Sequence, residues 1–315
     1  MPDYLHNHPE FGELLRAVDR QMKIERSLVE KDYWIMHVLY GLQQGGFVFE
    51  LKGGTSLSKG YQITGRFSED IDIRIEPPIG MDVKTGRNHT KPGSCEGRKK
   101  YYDWLAKGIK IAGIERIIRD EMFDNEKYFS GGIRAFYRTA LTLPPGIKEG
   151  VLLEVGFDDV TPNNALNISS WALDFALQRG MSVIDNRAFG VLCYHPGYTF
   201  VEKLQTIVTK FRKQQETGEM PINFLRHYYD VFCLLKNETV QKFIGTPEYH
   251  QHKAKRFPAI DQKVPLAEQD AFLLRDPQVR DVFEDAYRKT SALYYRGQPL
   301  FDEIRSELAD NLNKL

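Results

Sequence analysis

Residues 49–75 read FELKGGTSLSKGYQITGRFSEDIDIRI: a short apolar run, a paired-glycine turn, a helix-compatible segment, and two aspartates alternating with isoleucines. Side chains two apart on a strand share a face, so Asp70 and Asp72 project together while Ile71 and Ile73 enter the core. Two adjacent carboxylates repel, a cost that a divalent cation removes. Oxygen ligands of this kind suit Mg²⁺ or Mn²⁺, which take one or two protein carboxylates and complete their shell with substrate phosphates. The plainer reading is a solvated edge strand, and Asp-x-Asp alone does not separate the two.

The turn upstream favours the metal. Residues 48–51 read as a strand, and Gly53 and Gly54 permit a sharp turn. Thr55 is a good N-cap for a helix to about Lys59, whose free N–H groups can receive phosphate oxygens. This is no P-loop: counting from Gly53 or Gly54 puts Ser58 or Lys59 where Walker A needs its second glycine.

Gly53-Gly54-Thr55-x-Leu57-x-Lys59 followed by Arg66-x-Ser68-Glu69-Asp70-Ile71-Asp72 resembles the AbiEii/AbiGii toxins, a branch of the DNA polymerase β-like nucleotidyltransferases found in type IV-like toxin–antitoxin and phage-abortive infection systems. The gap from Thr55 to Asp70 is longer than in most polymerase β-like enzymes, though usual in this branch. The resemblance implies an α/β fold, with a polymerase β-like core built on a mixed sheet, then an all-helical C-terminal domain closing the active-site cleft. It implies nucleotide binding by Gly53, Gly54, Thr55, Lys59, Arg66 and Ser68, and metal binding by Asp70 and Asp72.

Such enzymes carry a third carboxylate on a neighbouring strand. Glu154 interrupts the apolar run VLLEVGF at 151–157, where an unpartnered acid is costly to bury, and it is the candidate third ligand. Asp158 and Asp159 compete for the role but read as loop residues, and Glu in place of the usual Asp is a departure. Glu202-Lys203-Leu204 and Arg226-His227-Tyr228-Tyr229-Asp230 match two further segments, with His227 where Asp is common. The resemblance implies that Lys203, a compact point charge suited to a triphosphate, works with Asp230 at the site. Their plainer reading is a surface Glu–Lys pair and a capping aspartate. Glu30-Lys31-Asp32 also resembles a family segment, and is read here as a solvated helix start with local ion pairs.

The implied activity is transfer of a nucleotidyl group from an NTP, with Mg²⁺ or Mn²⁺, to an acceptor such as the 3′ end of tRNA. Growth arrest and a cognate antitoxin encoded alongside complete the implied picture. The sequence does not itself show the acceptor. A small molecule or protein hydroxyl is the alternative acceptor, and a catalytically silent binding protein on the same fold is the alternative class.

At 315 residues the chain is expected to form about two domains, 1–196 and 197–315. Positive and negative residues balance at 43 each, so no global field attracts nucleic acid and any RNA contact must be local. Cys95, Cys193 and Cys233 are scattered, which supports neither a disulfide framework nor a thiolate zinc site. The N-terminus lacks an apolar signal core, and no run reaches the roughly 18 apolar residues of a membrane span, so a cytoplasmic location is expected.

Apolar periodicity predicts helices over 11–24 and 28–42, with His37 as a satisfied core or rim histidine rather than a ligand. Residues 80–97 are polar and, with Lys84, Arg87, His89, Lys91 and Arg98 to Lys100, read either as a plain insertion or as a basic flap for RNA phosphates. A helix over 101–111, a strand over 114–118, a hairpin of 133–143 with 151–157, a helix over 171–178 and a strand over 191–194 follow. Beyond His195-Pro196-Gly197 the pattern is helical, at 198–215, 224–236, 268–274, 277–287 and 299–312. His250 and His252 read as residues of a solvated loop.

Overall fold

The computed structural model describes residues 1–221 and 223–315. They form two compact units, Met1–Gly60 with Phe67–Tyr194, and Tyr61–Arg66 with His195–Leu315. No helix among the described residues is long and apolar enough to cross a membrane.

The first unit is built on seven strands: β1 (Phe49–Lys52), β2 (Asp70–Ile75), β3 (Ile114–Asp120), β4 (Ser130–Tyr137), β5 (Val151–Gly156), β6 (Asn163–Ile168) and β7 (Ala188–Tyr194). They make one mixed sheet in the order β3-β4-β5-β2-β1-β7-β6. β2 runs antiparallel to β1 and parallel to β5, and β1 runs parallel to β7. Ile71, Ile73 and Ile75 are buried while Asp70, Asp72 and Arg74 are half-exposed, so the period-two pattern is realised on an interior strand rather than at a solvated edge.

The predicted hairpin forms between β4 and β5. β4 stops at Tyr137 instead of reaching 143 because its partners run out there: β3 begins with Ile114 opposite Tyr137 and β5 begins with Val151 opposite Ala135. β6, NNALNI, was not legible: it is an edge strand of polar residues with low strand propensity, held by pairing to β7.

Five helices flank the sheet: α1 (Phe11–Met22), α2 (Arg26–Gln44), α3 (Gly53–Thr55), α4 (Pro92–Gly108) and α5 (Trp171–Gln178). α3 continues as a π-helical turn, Ser56–Gly60. α2 is buried along most of its length because α1 and α5 pack on it as well as strands β5 and β7. His37 is a satisfied core histidine, 2.8 Å from Ala112 O and 2.8 Å from Asn186 Nδ2. α4 starts nine residues ahead of the predicted 101, with Pro92 in its first turn, so Cys95 to Lys100 are helical rather than loop.

Among the described residues the second unit holds seven α-helices: α6 (Pro196–Thr217), α7 (Arg226–Leu235), α8 (Glu238–Phe243), α9 (Pro247–Arg256), α10 (Asp270–Leu273), α11 (Pro277–Arg288) and α12 (Phe301–Asn311). The segment Tyr61–Arg66 joins them: Gly65 N–H donates to the Tyr229 hydroxyl at 3.0 Å, and Arg66 bridges to Tyr294. α8 and α9 were not predicted, and His250 and His252 therefore lie on a helix, not in a loop. His252 is buried, its ring 4.7 Å from that of Tyr198 and its Nε2 3.7 Å from Glu202 Oε1. The helix expected at 268–274 is broken into a 3₁₀ turn, Leu266–Glu268, and the short α10, which ends at Leu274 in the left-handed region.

Candidate active site

The parallel register of β2 and β5 sets Glu154 directly opposite Asp72, with Asp70 opposite Leu152. Asp70, Asp72 and Glu154 thus crowd one stretch of the sheet. Burial, then the charges of Asp72 and Asp70, push the Glu154 carboxyl up to about 8. Burial and neighbouring Glu69 raise Asp70 as well. One oxygen of Asp70, Oδ1, is buried with no hydrogen-bond partner, while Oδ2 lies 2.7 Å from Lys148 Nζ. Asp158 and Asp159 follow β5 in a loop. Asp158 pairs with Arg87 and, at 3.7 Å, with Lys52, and Asp159 accepts from Thr161.

The donor set fits a hard divalent cation: clustered carboxylates with one buried oxygen unsatisfied, and a proton favoured on Glu154 only while no added positive charge is present. Among the described residues no group of three or more His, Cys, Asp or Glu side chains is placed so that it could hold a metal ion. Mg²⁺ does not call for one, since it keeps waters and substrate phosphates among its ligands.

Gly53 has φ +73° and abuts this cluster: a Cβ there would sit 2.1 Å from Asp72 Oδ2. Only glycine permits both the backbone conformation and the approach. Thr55 is not the N-cap, a position held by Lys52. It lies within α3, fully buried beside buried Gly54, and its hydroxyl donates to Asp70 O at 2.6 Å, tying the turn to the strand that carries the aspartates.

Glu30-Lys31-Asp32 is not a solvated helix start, because all three side chains are buried and each holds a different segment. Glu30 accepts from the Thr139 hydroxyl. Lys31 faces Glu69 at 3.8 Å and donates to Lys148 O. Asp32 pairs with Lys59 at 2.6 Å and accepts from Trp171 N–H at 2.9 Å. Lys59 also lies over the Trp171 ring, 4.0 Å from its centroid. The structure therefore gives Lys59, expected to bind nucleotide, a buried anchoring contact behind the glycine turn. Ser68 is half-buried just ahead of Glu69. The sequence signal missed here was three consecutive charges at the head of an otherwise apolar helix, where each needs a partner.

In the second unit Arg66 and Asp230 form a bidentate pair at 2.7 and 2.8 Å, and Lys203 Nζ lies 3.0 Å from Asp230 Oδ2. Burial alone would raise the Asp230 carboxyl, but Arg66 and Lys203 hold it far below the usual range. His227 bridges Lys203 and Lys210 at 3.4 and 3.3 Å, and burial together with those two ammonium groups keeps its ring neutral. Lys203 and Asp230 are thus a largely buried pair, not a surface contact and a cap. Glu202 instead meets His252 and Arg256.

Of the basic residues of 84–100, Lys84 pairs with Asp82, Arg87 with Asp158 and Lys100 with Glu96. Arg98 is fully buried, donating to Lys127 O and Lys84 O and lying over the Phe129 ring, so it cannot belong to an exposed basic flap.

A mixed sheet that presents an Asp-x-Asp strand beside a glycine turn, with a carboxylate on the adjacent strand, is the framework of a nucleotidyltransferase. Residues 38–307 match the family described as nucleotidyl transferase AbiEii toxin, type IV TA system, and the chain belongs to that family. It is accordingly a nucleotidyltransferase of the toxin–antitoxin class, and membership implies an NTP substrate and an antitoxin partner. No curated protein sequence matches the chain.

Proposed function

We propose that the protein is a divalent-metal-dependent toxin that moves a nucleotidyl group from an NTP to an RNA hydroxyl, with the 3′ end of tRNA as acceptor. The observation that carries this reading is the ladder register that faces Glu154 to Asp72 while Asp70 shares their side of the sheet. Asp70, Asp72 and Glu154 would hold the cation, which when bound neutralises the triphosphate and activates the acceptor hydroxyl. Gly53 brings backbone close to the Asp72 carboxylate without a side chain in the way, Gly54 continues the turn, and Thr55 fixes that backbone to Asp70. Lys203, held by Asp230, enters the proposal as a phosphate-binding cation. Lys203→Gln should then raise the KM for NTP more than it lowers kcat.

The test is to incubate purified protein with each labelled NTP, Mg²⁺ and total RNA, and to resolve which molecule gains label. Label in tRNA supports the proposal. Label in protein or a small molecule moves the acceptor, and nucleotide binding without any labelled product supports the silent binding protein instead.

A further inference from the structure

We propose that Lys148 is a further active-site residue, whose ammonium holds Asp70 before the divalent cation arrives and passes to the nucleotide's phosphates once the cation takes Asp70. The inference rests on the reading that Asp70, Asp72 and Glu154 hold that cation.

Lys148 lies in the connection from β4 to β5, RTALTLPPGIKEG at 138–150, which carries no motif. Its backbone is nevertheless fixed on both sides. The N–H donates to Glu69 Oε2 at 3.0 Å, and the C=O accepts from Lys31 Nζ. Lys31 and Glu69 are themselves buried and 3.8 Å apart. Two charges removed from water are costly unless they are well paired. Here they pair with each other and clamp one residue of an otherwise irregular loop at the edge of the carboxylate cluster.

The side chain of that residue reaches into the cluster. It is 24% exposed, and its Nζ meets Asp70 Oδ2 at 2.7 Å, with Glu69 Oε1 4.0 Å away and the Phe123 ring centroid at 5.0 Å. It satisfies one oxygen of Asp70 and leaves the buried Oδ1 unmet. That open acceptor lies among crowded carboxylates, where an arriving cation would meet it. A divalent cation that takes Asp70 repels the ammonium on its other oxygen and weakens that ion pair. The anion that accompanies the cation is the triphosphate, and a four-carbon stem on a clamped backbone reaches it without any movement of the main chain.

The experiment titrates Mn²⁺ calorimetrically into the full-length wild type, Lys148→Met, Lys148→Gln, Lys148→Arg and Asp72→Asn, in the absence of nucleotide, and then measures NTP kinetics at saturating Mn²⁺. Removing the competing ammonium should tighten Mn²⁺ binding about fivefold in the Met and Gln variants and leave the Arg variant near wild type. The KM for NTP should rise about tenfold in the same two variants, with kcat little changed. A purely structural lysine would give the opposite sign, with Mn²⁺ affinity unchanged or weaker, and that result overturns the proposal. If Asp72→Asn binds Mn²⁺ as tightly as the wild type, the cation reading itself fails, an outcome distinct from the first.

Discussion

Gly53 carries the tightest steric demand in the site, since any side chain there meets the Asp72 carboxylate on a backbone already at positive φ. Gly53→Ala should cost about 1–3 kcal/mol of stability and abolish nucleotidyl transfer, measured by chemical denaturation and by label transfer. A variant of normal stability and activity would mean that the turn does not press on Asp72. Glu154 makes a second prediction. Its carboxyl is raised from 4.5 to about 8, so the metal-free native state keeps a proton that the unfolded chain has released across that window. That contribution is complete below 4.5 and is lost as pH rises through about 8. Metal-free wild type should therefore melt progressively lower from about pH 5 to about pH 8, and Glu154→Gln should flatten the trend and melt higher at the alkaline end. Identical slopes in the two proteins would show that Glu154 does not hold the proton.

The head of α2 acts as a clamp, joining the loop after β4, the entry to β2 and the turn after α3 through three successive side chains. Lys59→Met strands the buried Asp32 carboxylate and should destabilise by about 3–5 kcal/mol, whereas adding Asp32→Leu should recover much of that loss. Equilibrium unfolding of the single and double variants decides it: a single variant as stable as wild type would return Lys59 to the substrate. α4 gives a parallel case. Arg98→Ala empties a fully buried site and should cost more than about 2 kcal/mol, while Lys99→Ala with Lys100→Ala should leave stability within about 0.5 kcal/mol. If the basic segment contacts RNA, only the second pair should flatten the salt dependence of RNA binding without unfolding the protein. Salt slopes that match wild type would leave the segment a plain insertion.

Across the molecule, what was legible followed from periodicity and from the chemistry of close neighbours in sequence. Alternating Asp and Ile predicted β2, the apolar interruption marked Glu154, and α1, α2, α5, α6 and α7 could be read from their repeating apolar faces. What was hidden depended on partners far along the chain. Lys31 and Asp32 look like surface charges until Glu69 and Lys59 come to meet them, and Lys148 has no signal except its place beside Asp70. Arg98 looked like part of a basic loop because its carbonyl partners, at 84 and 127, carry no side-chain signature. The family match supplies the reaction class, and the proposal assigns its chemistry to the carboxylates. The most direct measurement is therefore label transfer from NTP by wild type and Asp72→Asn, at saturating Mg²⁺ and with folding verified by circular dichroism. Metal-dependent transfer by the wild type, with a loss of at least about a hundredfold in a folded Asp72→Asn protein, is the predicted result. Transfer that proceeds without metal, or survives in Asp72→Asn at near the wild-type rate, would contradict it.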